Sequence, residues 1–263
     1  MYKADIVFAD QSSSLQVRAK AFRVPPNDRE RNEQLTNTVD MLRYLWSVVG
    51  YDHKNISPMW RASVATAGHT VPAIATSNYR NGNIFDYVGL HSSADLLNLM
   101  YEASSAFMHI HSKNVVHGDI CPENLCIAND GTMRVTDIAV DTLVRQGSNS
   151  NSLSVPSNWM YKAPEELGWG DRTTQTDVYS FGATIYSAYN LKPPFPVMGH
   201  SYGKGLMQII SQGHDSIFGQ SKPAMMSDGL WQVVRVCWAM DPSQRPSMAE
   251  VNGMLARMRE DSR

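Results

Sequence analysis

The chain has 263 residues, a hydrophobic share of 43% and a formal net charge of -2. That is enough apolar material for a sizeable core in one two-lobed unit, and the near-neutral charge gives no reason to expect nucleic acid or an anionic membrane surface as a partner. No apolar run approaches the ~20 residues of a membrane span, Met1-Tyr2-Lys3-Ala4-Asp5 is not a secretory signal, and a membrane segment upstream in a longer parent stays open.

Residues 5–8 and 15–24 read as short strands, separated by Gln11-Ser12-Ser13-Ser14 and followed by a Pro25-Pro26 break. Over 37–49, Val39, Leu42, Leu45, Trp46 and Val49 recur at helical spacing. Strands are expected near 57–67 and 71–76, then a turn at Asn81-Gly82-Asn83. A long helix is expected over 94–112, with Leu97, Met100, Tyr101, Phe107, Met108 and His111 as its buried face. Asp130-Gly131 joins 125–128 to 133–136 as a short hairpin. Residues 147–157 are rich in Ser and Asn, and from about Thr176 the chain reads mostly as helices. Strands first and helices after imply an α+β protein in two lobes. Cys121, Cys126 and Cys237 lack metal-type pair spacing and fit a reduced intracellular setting.

Several motifs then fall in order. His117-Gly118-Asp119 is followed five residues after the Asp by Asn124, and eighteen residues after it by Asp137-Ile138-Ala139. Ala163-Pro164-Glu165, Asp177-Val178-Tyr179-Ser180-Phe181-Gly182 and the run from Cys237 to Pro246, which contains Arg245, complete the set. Together they resemble the catalytic loop, metal-binding motif, segment-ending motif and buried Asp and Arg of protein kinases. In the first third, Val17-Arg18-Ala19-Lys20 resembles the strand that carries the ATP-pairing lysine, and Asp52-His53-Lys54-Asn55-Ile56 the turn after the regulatory helix. The Cys-Trp and Asp-Pro pairings are similar to the tyrosine-kinase and tyrosine-kinase-like branch. The stretch from Met41 to Asn55 and the Cys-Trp-Ala-x-Asp-Pro string look most like the degenerate kinase domains of Ryk-type Wnt receptors.

The resemblance implies a two-lobed kinase fold, with a small sheet lobe over 1–78, a hinge at 79–84 and a helical lobe over 85–263. It puts Thr76 and Tyr79 at the nucleotide pocket, Lys20 on the phosphates, Asp119 at the base position, and Asn124 and Asp137 as oxygen ligands for magnesium or as structural remnants. It also exposes defects. No glycine precedes Lys20, so the phosphate-covering loop cannot form in the usual way, and only 19 residues precede it: the chain is a fragment or the lobe is shortened. Tyr44, nine residues before His53, falls where the carboxylate partner of Lys20 belongs, with Asp40 as a substitute one turn earlier. Gly118 replaces an arginine, Cys121 and Glu123 replace the γ-phosphate cations of the two kinase classes, and Ala139 replaces a flexible glycine. The expectation is a pseudokinase in the cytoplasm, or at the cytoplasmic face of the plasma membrane, that binds signalling proteins. ATP and magnesium are expected weakly or not at all. The alternative is a weakly active kinase.

Overall fold

In the computed structural model, which describes residues 2–7, 14–22, 28–66, 69–146, 158–168, 170–194 and 222–262, four antiparallel strands pair in the order β1-β2-β4-β3. They are β1 (Tyr2–Val7), β2 (Ser14–Ala21), β3 (Met59–Thr66) and β4 (His69–Ser77). On β2, Val17 and Ala19 are buried while Arg18 and Lys20, on the opposite face, are partly open. A single helix, α1 (Arg29–Val49), packs on β3 and β4 through Leu35, Val39, Leu42, Trp46 and Val49. It starts eight residues earlier than apolar spacing suggests. Its first turns are polar and carry no apolar rhythm. The start signal is the cap instead, with the Asp28 carboxylate accepting from the Arg31 amide at 2.9 Å.

The remainder is mostly helical: α2 (Ile84–Leu90), α3 (Leu96–Ser112), α4 (Val140–Gln146), α5 (Pro164–Leu167), α6 (Thr174–Asn190), α7 (Asp228–Cys237) and α8 (Met248–Asp261). Between α3 and α4 lies the hairpin β5 (Leu125–Ile127) and β6 (Met133–Val135). This is the small antiparallel sheet and helical bulk of the two-lobed kinase fold. The buried face of α3 differs in detail from the apolar pattern. Leu97, Tyr101 and Met108 are only partly buried, whereas Ala103, Ser104, Ala106 and Ile110 are fully buried. Small residues set that face because α8 packs there, with the Asn252 amide donating to Ser104 Oγ at 2.8 Å.

A largely buried ion pair ties α5 to the segment before α8. Arg245 donates to Glu165 through Nη1 (2.6 Å) and Nη2 (2.9 Å), and to the carbonyls of Ala239 and Gln175. Its guanidinium also lies 4.7 Å from the centre of the Tyr179 ring. Among the described residues no helix is long and apolar enough to cross a membrane. The Ser/Asn-rich stretch 147–157 lies outside the described residues.

Candidate active site

The 117–124 loop is held from below by one carboxylate. Asp177, buried at the start of α6, accepts from the His117 amide (2.7 Å) and the Gly118 amide (2.9 Å) and lies 2.8 Å from His111 Nε2. Burial alone would raise its pKa, but the bond to His111 and that ring's charge, with further help from His117, hold it below the usual carboxylate range. His117 is a core residue whose tautomer is fixed. Its Nδ1 accepts from the Asp119 amide (3.2 Å), so Nε2 carries the proton donated to the Thr136 carbonyl (2.9 Å).

Burial pushes the His117 pKa below 6.5 in spite of Asp177 and Asp119. The ring is therefore neutral in the fold, while in the unfolded chain it gains a proton near pH 6.5. Its contribution to stability is complete above that pH and lost below it. The urea midpoint should accordingly fall from pH 7 to about 5.5, and His117→Gln should show a flatter profile. Equal slopes for the two proteins would rule this out.

Asp119 is enclosed. Asn124, in the turn Pro122–Asn124, donates through Nδ2 to the Asp119 carbonyl (2.8 Å) and to Oδ2 (3.1 Å). Asn158 approaches the same carboxylate at 3.3 and 3.4 Å. Lys162 reaches in from the segment-ending motif, and its Nζ lies 2.6 Å from the Gly118 carbonyl and 3.0 Å from Asp119 Oδ1. Burial would raise the Asp119 pKa, yet the Lys162 ammonium holds it below the ordinary value. Lys162 is only 1% exposed and also faces Glu166 (3.5 Å) and Asp141 (3.8 Å). Arg172 closes the network through Asp141 (2.6 Å) and Glu166 (3.1 Å) and donates to Thr142 Oγ1 (2.9 Å).

The network fills the space that Gly118 leaves. Gly118 adopts φ +76, and a Cβ there would collide with the Thr142 hydroxyl, with Arg172 Nη1 at 3.4 Å. Ala139 also stands in the left-handed region, at φ +60, where glycine is favoured. Cys121 is buried, with its thiol pKa driven up chiefly by burial and then by Asp119, so it is a poor thiolate.

On the opposite wall, Lys20 Nζ lies 2.9 Å from Asp137 Oδ2. Tyr44 is not opposite Lys20: it is 69% exposed. The buried positions of α1 are Leu35, Thr38, Val39, Leu42, Trp46 and Val49, with no carboxylate among them. Asp40 pairs instead with Arg61 at 3.4 Å. Trp46 couples α1 to the Asp137-Ile138-Ala139 turn, its indole donating to the Ile138 carbonyl at 3.1 Å.

Lys20, Thr76, Asp119, Asn124 and Asp137 all line one cavity of about 260 Å³ between sheet and helices, together with Arg18, Glu123 and Asn158. Tyr79 is not among its lining residues; its hydroxyl donates to Ser57 Oγ at 2.9 Å. A larger hollow of about 360 Å³, between α1 and the β3–β4 pair, contains none of these residues. Sequence reasoning missed Arg18, Asn158, Lys162 and Arg172. Arg18 was legible from strand alternation, two residues before Lys20. Lys162 sits directly before Ala163-Pro164-Glu165 and four before Glu166, but only the folded chain shows that it points inward.

Comparison with known proteins agrees with this geometry. The protein kinase domain family matches residues 9–254. Dual specificity protein kinase pyk3 of Dictyostelium discoideum is 26% identical over 238 residues, which is 87% of this chain and 16% of that protein. Cytoplasmic tyrosine-protein kinase BMX of Mus musculus is 23% identical over 72% of this chain and 29% of its own length. Tyrosine-protein kinase transforming protein Fps of an avian sarcoma virus is 24% identical over 64% and 31%. The chain spans less than a third of the length of each of these relatives.

Proposed function

Because the chain belongs to the protein kinase domain family, we propose that it is a pseudokinase signalling domain, a scaffold or allosteric partner for other signalling proteins rather than an efficient phosphotransferase. The observation that carries this reading is the state of Asp119. A general base must offer a free oxygen to the substrate hydroxyl within about 2.6–3.2 Å. Here Lys162 donates to Oδ1, Asn124 donates to Oδ2 and Asn158 approaches both, so a substrate hydroxyl must compete with three donors, and the neighbouring lysine lowers the basicity of the carboxylate. The absence of a carboxylate from the buried face of α1 supports the same reading, since Lys20 is then held by Asp137 instead. The Ryk-like pattern from Met41 to Asn55 and in the Cys237-Trp238 segment favours a place at the cytoplasmic face of a membrane, as the intracellular part of a receptor.

The competing reading is a slow kinase, favoured by the convergence of Lys20, Asp119, Asn124 and Asp137 on one cavity. Asp137 and the amide oxygen of Asn124 are hard-oxygen donors suited to magnesium, which would neutralise phosphate charge there. Lys20 would hold the phosphates and Asp119 would orient a hydroxyl. Loss of a single preorganised charge costs about 10²–10³ in rate, and kinases turn over at about 1–100 per second. The expected peptide phosphorylation is therefore at least about 100-fold below that range. Signalling should persist in Asp119→Asn. An ordinary kinase rate that Asp119→Asn abolishes together with signalling would overturn the proposal.

A further inference from the structure

The cavity between the lobes is small for a nucleoside. Sites for drug-sized ligands enclose roughly 300–1,000 Å³. This one encloses about 260 Å³, and Arg18, Lys20, Asp119, Glu123 and Asp137 put charge of both signs among its lining residues.

Its wall on β2 is doubly basic. Alternation puts Arg18 and Lys20 on the same face, two residues and so roughly 6.6 Å apart along the strand, and both line the cavity. The β2–β4 register sets Lys20 opposite Ile74 and Arg18 opposite Thr76, so Arg18 lies nearer Ser77, where β4 ends. The kinase signature for this strand is Val-Ala-Ile-Lys, with a methyl side chain two residues before the lysine. Here that position carries a guanidinium. Lys20 reaches Asp137 at 2.9 Å, which leaves Arg18 one strand repeat farther toward the end where a base would sit. A guanidinium offers paired donors that match phosphate oxygens bidentately, and its bulk and charge oppose a neutral aromatic ring.

We infer that the cavity receives a compact linear oligophosphate carried with a divalent cation, and that Arg18 excludes the base of a nucleotide from it. The inference rests on the binding reading above only in taking the cleft as a ligand site. Arg18 and Lys20 face the phosphates, and Asp137 and Asn124 supply oxygens to the cation.

The test is a melting and calorimetric titration of the full chain with magnesium plus tripolyphosphate, ATP or adenosine. Tripolyphosphate should stabilise the wild type, adenosine should not, and ATP should bind no more tightly than tripolyphosphate. Arg18→Ala should weaken tripolyphosphate by about 10-fold and reverse the ranking in favour of ATP. Arg18→Gln, which keeps length and polarity, serves if the alanine variant does not fold. Stabilisation of the wild type by adenosine, ATP bound tenfold more tightly than tripolyphosphate, no response to tripolyphosphate, or an unchanged ranking in both variants would each overturn the inference. A peptide phosphorylation assay on the same preparation separates the two proposals. Transfer at an ordinary rate removes the binding reading, whereas adenosine binding without transfer overturns this inference and leaves the binding reading standing.

Discussion

Lys162→Met is expected to destabilise the fold by about 3–5 kcal/mol, the cost of removing one partner from a buried ion pair. The lysine is 1% exposed, and its ammonium faces the Gly118 carbonyl, Asp119, Glu166 and Asp141. Without it those carboxylates share Arg172 as their remaining cation in the network. Methionine fills much of the volume, so the loss reports charge rather than a cavity. Adding Glu166→Gln should recover part of it, because Glu166 is buried and its pKa is raised by that burial even against Lys162 and Arg172.

The effect depends on pH in a defined sense. The folded pKa of Asp119 is depressed, so its contribution is present above the unfolded value of 3.8 and disappears as pH falls through the folded one. Lys162 is raised above 10.5, with burial outweighed by Glu166 and Asp119, so its contribution lasts until pH climbs past the folded value. The difference between wild type and variant in urea should therefore be constant from pH 6 to 9 and shrink below about pH 4. A variant with the wild-type midpoint at pH 7 would show that the network is electrostatically idle.

Arg245→Met should cost a similar ~3–5 kcal/mol, for a different reason. The Arg245 side chain is fully buried while Glu165 keeps 27% of its side-chain surface exposed. Removing the arginine strands the Ala239 and Gln175 carbonyls as well as the carboxylate. Glu165→Gln should cost less, because the amide still accepts from the guanidinium and its own position is partly solvated. Equal losses in the two variants, measured by denaturant unfolding, would contradict this ordering. Neither should alter the response to tripolyphosphate per folded molecule, since neither residue lines the cavity.

How much of this was legible follows from what each feature depends on. His117, Asp119 and Asn124 share one loop, but Asp177 meets it from 60 residues away and Asp137 from beyond β6, so these residues were legible from the order of the motifs rather than from local spacing. Lys20 was legible from the strand around it. Tyr44 points to solvent because α1 buries Leu42 and Trp46 on either side of it, a rotation of the helix that counting from His53 does not report. The Lys162 and Arg172 network was invisible for a stronger reason. It joins residues 31 and 43 positions apart through a backbone conformation, φ +76 at Gly118, that no spacing rule reports. The start of α1 was missed because its signal was a cap rather than a rhythm.

The collision between a Cβ at Gly118 and the Thr142 hydroxyl has an evolutionary meaning. A lineage carrying this pair gains a side chain at 118 only with strain: the Thr142 hydroxyl must turn away or be removed, and the backbone stands in a left-handed region that L side chains rarely adopt. Shortening residue 142 alone takes from Arg172 the acceptor it holds at 2.9 Å, so the intermediate loses a bond before anything is gained. The two sites are epistatic, and the order of steps decides whether the path is passable. The glycine thus acts as a ratchet: a side chain at 118 is admitted only after its surroundings change, whereas the lysine–arginine network can be elaborated one residue at a time.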